Sequence, residues 1–181
     1  MNYWKRIPIS YYNTIVDKSL AYIKTQDQVY LRQIESASWY DLNFEEYREA
    51  VPEIMRAFDR YLINCIYAAA YVMYDPDHVL PHIDSYPAKA RINLPLENCS
   101  GTYTNFYTGG KVEEWVNPGS GVVSYMVHNQ ETLTLVDRVE MTEATVLRTS
   151  AIHSVTLPAG NPTPRVTLTL GFDRDPVFLL I

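Results

Sequence analysis

The chain has 181 residues, of which 47% are apolar when tyrosine is counted and 20% are charged, so a packed core is expected and disorder is not. Its length suits one domain spanning residues 1–181. The formal net charge is -6 with no block of Lys or Arg, which argues against a nucleic-acid partner, and the longest apolar run, Ile63 to Met73, is too short to span a membrane.

The start, MNYWKRIPIS, carries basic residues without an apolar stretch behind them, so a cytoplasmic location is expected. Cys65 and Cys99 belong to no CxxC pair and read as two reduced thiols. Ser10 is placed to cap a helix whose face carries Ile15, Val16, Leu20 and Ile23, with Ser19 as a small gap. A second stripe runs through Phe44, Tyr47, Val51, Ile54, Met55, Phe58, Tyr61 and Leu62 at helical spacing. Pro52 kinks it or restarts it. Ile66 to Tyr74 has the β-branched and aromatic content of a strand, although a helix could also continue there.

After Asp75-Pro76-Asp77 the pattern turns to short alternating segments. Strands are expected over His82–Ser85, Arg91–Leu96, Thr102–Tyr107, Gly121–His128, Thr132–Val136, Ala144–Leu147, His153–Leu157 and Arg165–Phe172. Asn117-Pro118-Gly119 and Pro158-Ala159-Gly160-Asn161-Pro162 mark turns. The expected architecture is mainly β with N-terminal helices: a helical part over 1–65, then a sandwich or barrel core over 66–175 with the helices packed on one sheet.

Chemistry concentrates in Pro81-His82-Ile83-Asp84. Side chains two apart on a strand share a face, so His82 and Asp84 can present an imidazole nitrogen and a carboxylate oxygen to one ion. A third ligand has to come from His78, His128 or His153. His153 lies in the β-rich part; His78 falls in a turn and His128 ends an apolar strand. Two histidines and a carboxylate leave three positions open on a metal, the arrangement of non-haem iron oxygenases.

The tail supports this reading. Arg165, Thr167 and Thr169 alternate with Val166, Leu168 and Leu170, and Arg91 and Asn93 alternate with Ile92 and Leu94. Polar residues facing inward on two strands imply a wet, anion-binding interior, since an unpaired buried guanidinium is costly. Tyr103, Asn105 and Tyr107 share a face that could line the same interior or simply pack, and Trp115 could cover its mouth or pack within a loop.

The order HxD, distal His, then Arg-x-Thr about a dozen residues later, resembles the Fe(II)/2-oxoglutarate-dependent dioxygenases. The stretch Arg91-Ile92-Asn93-Leu94-Pro95-Leu96 resembles the aspartyl/asparaginyl β-hydroxylase branch, some members of which lack the carboxylate ligand that Asp84 supplies here. The resemblance covers roughly Val72 to Asp173 and implies a double-stranded β-helix, or jelly roll. It implies that His82, Asp84 and His153 hold iron(II) and that Arg165 and Thr167 bind 2-oxoglutarate, while Arg91 and Asn93 could bind the cosubstrate, meet the substrate or form ion pairs within the sheet. Dioxygen would be the second cosubstrate, and the substrate a small molecule or a peptide or protein side chain. The alternatives are a cupin-like metalloenzyme, which typically takes more histidines, and a non-catalytic jelly-roll binding or structural module. A zinc hydrolase is disfavoured because HExxH is absent from the sequence.

Overall fold

The computed structural model describes residues 1–26, 37–75, 79–84, 88–116 and 123–181. Two six-stranded antiparallel sheets face each other as an open jelly roll. The first sheet runs β1 (Trp4–Arg6), β10 (Thr145–Leu147), β5 (Arg91–Glu97), β12 (Arg165–Phe172), β3 (Cys65–Met73) and β2 (Ala37–Asp41). The second runs β7 (Lys111–Val116), β8 (Val123–His128), β4 (Val79–Ile83), β11 (Ile152–Thr156), β6 (Tyr103–Thr108) and β9 (Thr134–Glu140). Among the described residues no helix is long and apolar enough to cross a membrane.

Helices cover the outer face of the first sheet. Helix α1 (Tyr12–Thr25) turns Ile15, Ser19 and Ile23 inward. Its N-cap is Tyr11 in the left-handed region, not the expected Ser10, and no side chain caps it. Ser19 is more than a gap: its hydroxyl meets the buried Tyr47 hydroxyl at 2.8 Å, so neither polar atom is stranded in the core. Helix α2 (Phe44–Ala50) is capped by Asn43, whose side chain accepts from the backbone N–H of Glu45 and Glu46. These helices and the segment that follows them bury Ile15, Ile23, Tyr47, Val51, Ile54 and Phe58 in one cluster with Ala68, Ala70, Val72, Ile92, Leu94, Val166, Leu168 and Leu170. A buried leucine-sized side chain contributes about 1.5–3 kcal/mol, so this layer is the main apolar cluster.

The stripe from Phe44 to Leu62 restarts at Pro52, one of the two outcomes expected there, and other expectations need correction. The helix ends at Ala50, restarts as a 3-10 turn over Pro52–Met55 with the proline at its start, and closes with another at Asp59–Tyr61. Leu62 then takes a left-handed conformation and is 84% exposed, and Met55 is exposed too, so neither belongs to the core. The 1–65 part is not purely helical, because it supplies β1 and β2. The expected 132–136 strand begins later and runs longer, as β9, and β7 had no counterpart in the expected set. The Asn117-Pro118-Gly119 turn lies outside the described residues.

Candidate functional site

Strand register brings the metal-type residues together. His82 on β4 pairs directly with His153 on β11, and His153 pairs with Phe106 on β6. Asp84 follows β4, and its backbone N–H donates to the Thr149 carbonyl at 3.0 Å, which anchors the turn leaving the strand. His82 Nε2 lies 3.4 Å and His153 Nε2 3.6 Å from Asp84 Oδ1. One ligand atom from each residue falls within a 4.8 Å span. Ligands on one face of an ion at about 2.1 Å would stand about 3 Å apart, so the two Asp84 edges are about half an ångström too long and the 4.8 Å span has to draw in to close on a metal.

The imidazoles are oriented alike. His82 Nδ1 donates to the Leu80 carbonyl at 2.8 Å, and His153 Nδ1 to the Ala151 carbonyl at 2.9 Å. A carbonyl only accepts, so each Nδ1 carries a proton, and Nε2, turned toward Asp84, is the atom that can ligate a metal or, in a protonated His82, donate to the carboxylate. This is the arrangement that fixes ligand histidines in metal sites. Electrostatics separates the two rings. Burial, and then the His82 charge, push His153 down to about 4, so it stays neutral. Burial also opposes the charging of His82, but the hydrogen bond and charge of Asp84 outweigh it and its pKa is raised. Asp84 is lowered: burial opposes ionisation, and the His82 hydrogen bond together with the charges of His82 and Arg91 overcomes it.

The triad opens onto a cavity of about 120 Å³ between the sheets. All the sequence-derived site residues line it: His82, Asp84, His153, Arg165, Thr167, Arg91 and Asn93. Arg165 is 2% exposed, yet among the described residues it meets no carboxylate. Its Nε donates to Thr102 Oγ1 at 2.9 Å, and Thr102 donates in turn to the Cys99 carbonyl at 2.7 Å. Its Nη1 is sealed from solvent and has no partner, as are Asn93 Oδ1 and Thr149 Oγ1. Buried polar atoms are nearly always satisfied, so three orphans around one cavity make it the candidate place for a ligand or ordered water.

Other expected residues go elsewhere. Tyr103, Asn105 and Tyr107 lie on the opposite face of β6 from Phe106, which pairs with His153. Asn105 instead bonds Thr156, and Tyr107 bonds Ser154. His128 is exposed and pairs with Glu113 at 3.3 Å, away from the triad. His78 and the Trp115 side chain lie outside the described residues. Both thiols are buried and free, and desolvation raises Cys65 to about 12.

Tyr71, Trp39, Thr149 and Thr102 were missed. Tyr71 pairs with Thr167 across β3 and β12, facing the cavity. Burial pushes its hydroxyl up to about 12, with the Arg165 charge lowering it and the Asp84 charge raising it, so it remains an O–H donor. Trp39 on the edge strand β2 is held by bonds from Nε1 to Asp41 at 2.8 Å and to the Tyr67 hydroxyl at 3.1 Å. The one sequence signal for Tyr71 was its alternation with Tyr67 and Ala69, legible only once that segment is known to be a strand.

No family model matches the sequence, and no curated protein does. Among solved structures, E. coli ycfD aligns with a TM-score of 0.47 at 12% identity, over 76% of this chain and 34% of its own. This chain therefore spans about a third of that protein's length. A Pseudomonas putida prolyl-4-hydroxylase aligns with a TM-score of 0.46 at 15% identity, over 96% of this chain and 94% of its own. At these identities no residue role passes from either protein to this chain.

Proposed function

We propose that this chain is a non-haem iron(II) oxygenase that uses 2-oxoglutarate and dioxygen as cosubstrates and hydroxylates a further substrate, releasing succinate and carbon dioxide. One observation carries the reading. Across a single cavity, a two-histidine, one-carboxylate cluster faces a buried guanidinium with an unpartnered Nη1.

The donor set fits the metal. Two neutral nitrogens and one carboxylate oxygen suit a borderline divalent cation such as iron(II), and their clustering on one side leaves open positions for a chelating cosubstrate and dioxygen. His82, Asp84 and His153 would hold it. Bound iron supplies the redox chemistry that activates dioxygen for attack on a C–H bond.

The rest is done by the chain. The Leu80 and Ala151 carbonyls keep both imidazoles in the ligand tautomer. Arg165 Nη1 and the Thr167 hydroxyl bind the far carboxylate of 2-oxoglutarate, with Thr102 fixing the guanidinium from behind. Thr149 Oγ1 and the protonated Tyr71 hydroxyl offer further donors to a ligand made only of acceptors. Phe106, buried beside the His153 ring at 6.2 Å, and Leu147 help to keep water out.

The test is succinate formation from 2-oxoglutarate by metal-stripped protein resupplied with iron(II). The reading expects iron-dependent turnover that His153→Ala abolishes and His128→Ala leaves intact. Equal iron content in the His82, His153 and His128 alanine variants would remove the metal assignment.

A further inference from the structure

The cavity contains two guanidiniums, and they sit toward opposite ends of its wall. Leu170 pairs with Ile92, so Arg91 stands beside Gly171, six residues along β12 from Arg165. At roughly 3.3 Å per residue their backbone levels are about 20 Å apart. Arg91 is held in place from two sides. Its guanidinium lies over the Tyr67 ring at 5.6 Å. A Cβ on Gly171 would come within 2.8 Å of its Nη1, so the missing side chain makes the room. Arg91 is close enough to Asp84 for its charge to act there, yet among the described residues it forms no ion pair.

A short diacid held by Arg165 at one end and chelated by a metal at the other leaves Arg91 without an anion. It also leaves Asn93 unsatisfied. The 2-oxoglutarate dianion carries only acceptors, so it can satisfy Arg165 Nη1, whereas the orphan at Asn93 is Oδ1, itself an acceptor. As oriented, Asn93 presents an unpartnered Oδ1 that can accept an N–H from a second molecule. Arg91 and Asn93 are two residues apart on one strand face, and both line the cavity.

Resting on the iron and 2-oxoglutarate reading, we propose that Arg91 and Asn93 belong to the substrate, and that the substrate is a free α-amino acid: its carboxylate meets the Arg91 fork and its ammonium donates to Asn93 Oδ1. The fixed indole of Trp39 and the Tyr71 ring, tilted at 6.4 Å, form the wall beside which its side chain lies.

The experiment loads the protein with iron(II) and 2-oxoglutarate under argon, records the visible chelate band, and then titrates common L-amino acids by calorimetry. The band tests the cosubstrate reading by itself, before any amino acid is added. At least one amino acid should then bind, while its carboxamide and its decarboxylated amine each bind about a hundredfold more weakly. Arg91→Met should weaken that amino acid by a similar factor and shift the 2-oxoglutarate midpoint less than about threefold. Arg91→Lys, which keeps the charge over Tyr67, should recover part of the binding and serves if the Met variant does not fold. Three results would overturn the proposal: no amino acid binding to a complex that shows the band, binding indifferent to the carboxamide, or loss of 2-oxoglutarate itself in the Arg91 variants.

Discussion

The two faces of β12 are built from alternate residues of one strand, and they do opposite things. Val166, Leu168 and Leu170 are fully buried against the helix layer. Arg165, Thr167 and Thr169 are buried to nearly the same degree, but against a cavity. Burial alone therefore does not distinguish core from site. Completeness does: the aliphatic face is filled by its neighbours, while the polar face leaves Arg165 Nη1 without a partner. A closed face is about stability, and a face with orphaned polar atoms is waiting for a ligand.

Substitutions on the two faces should separate those properties. The largest effect is expected at Arg165. Removing a charged partner from a desolvated pair costs about 3–5 kcal/mol, so Arg165→Ala should weaken 2-oxoglutarate binding by several hundred- to several thousandfold, roughly, in equilibrium titration. Its iron content should stay unchanged. Arg165→Lys should recover only part, because an ammonium cannot make two parallel bonds to a carboxylate.

On the other face, Leu168→Ala should cost about 2–5 kcal/mol in denaturant unfolding, with cosubstrate affinity kept in the folded fraction. Equal loss of 2-oxoglutarate affinity from Leu168→Ala would break the division between the faces. A smaller effect is expected behind the aliphatic face. Tyr47→Phe strands the buried Ser19 hydroxyl and should cost about 1–3 kcal/mol, read from the unfolding midpoint. The smallest is Leu62→Ala: its side chain is exposed, so the change should stay within about 0.5 kcal/mol.

That last case shows where the sequence was not enough. Leu62 continues a helical stripe by spacing, but spacing assumes one unbroken helix. Pro52 restarts the chain as a 3-10 turn, and the left-handed residue at 62 reverses it, so the periodicity stops meaning a common face. The metal-type residues were legible for the converse reason. His82 and Asp84 lie two apart in extended backbone, where alternation is dictated locally, and Arg165 heads a strand whose other face is plainly aliphatic. Alternation gives two faces without saying which is inner. For β6 alternation left Tyr103, Asn105 and Tyr107 as either pocket or packing, and the deciding fact is the non-local pairing of Phe106 with His153. The support of Arg91 was equally hidden, since it depends on the absent side chain of Gly171 on a strand some eighty residues away in sequence.

The central claim is that one cavity holds an iron site and a 2-oxoglutarate anchor together. Its most direct test is an oxygen-free titration of 2-oxoglutarate onto the iron(II)-loaded protein, followed by visible absorption. A saturable chelate band is expected in the parent, no band in His153→Ala, and a band in Arg165→Ala that appears only at far higher 2-oxoglutarate. No band in iron-loaded parent protein, or an unchanged band in His153→Ala, would contradict it.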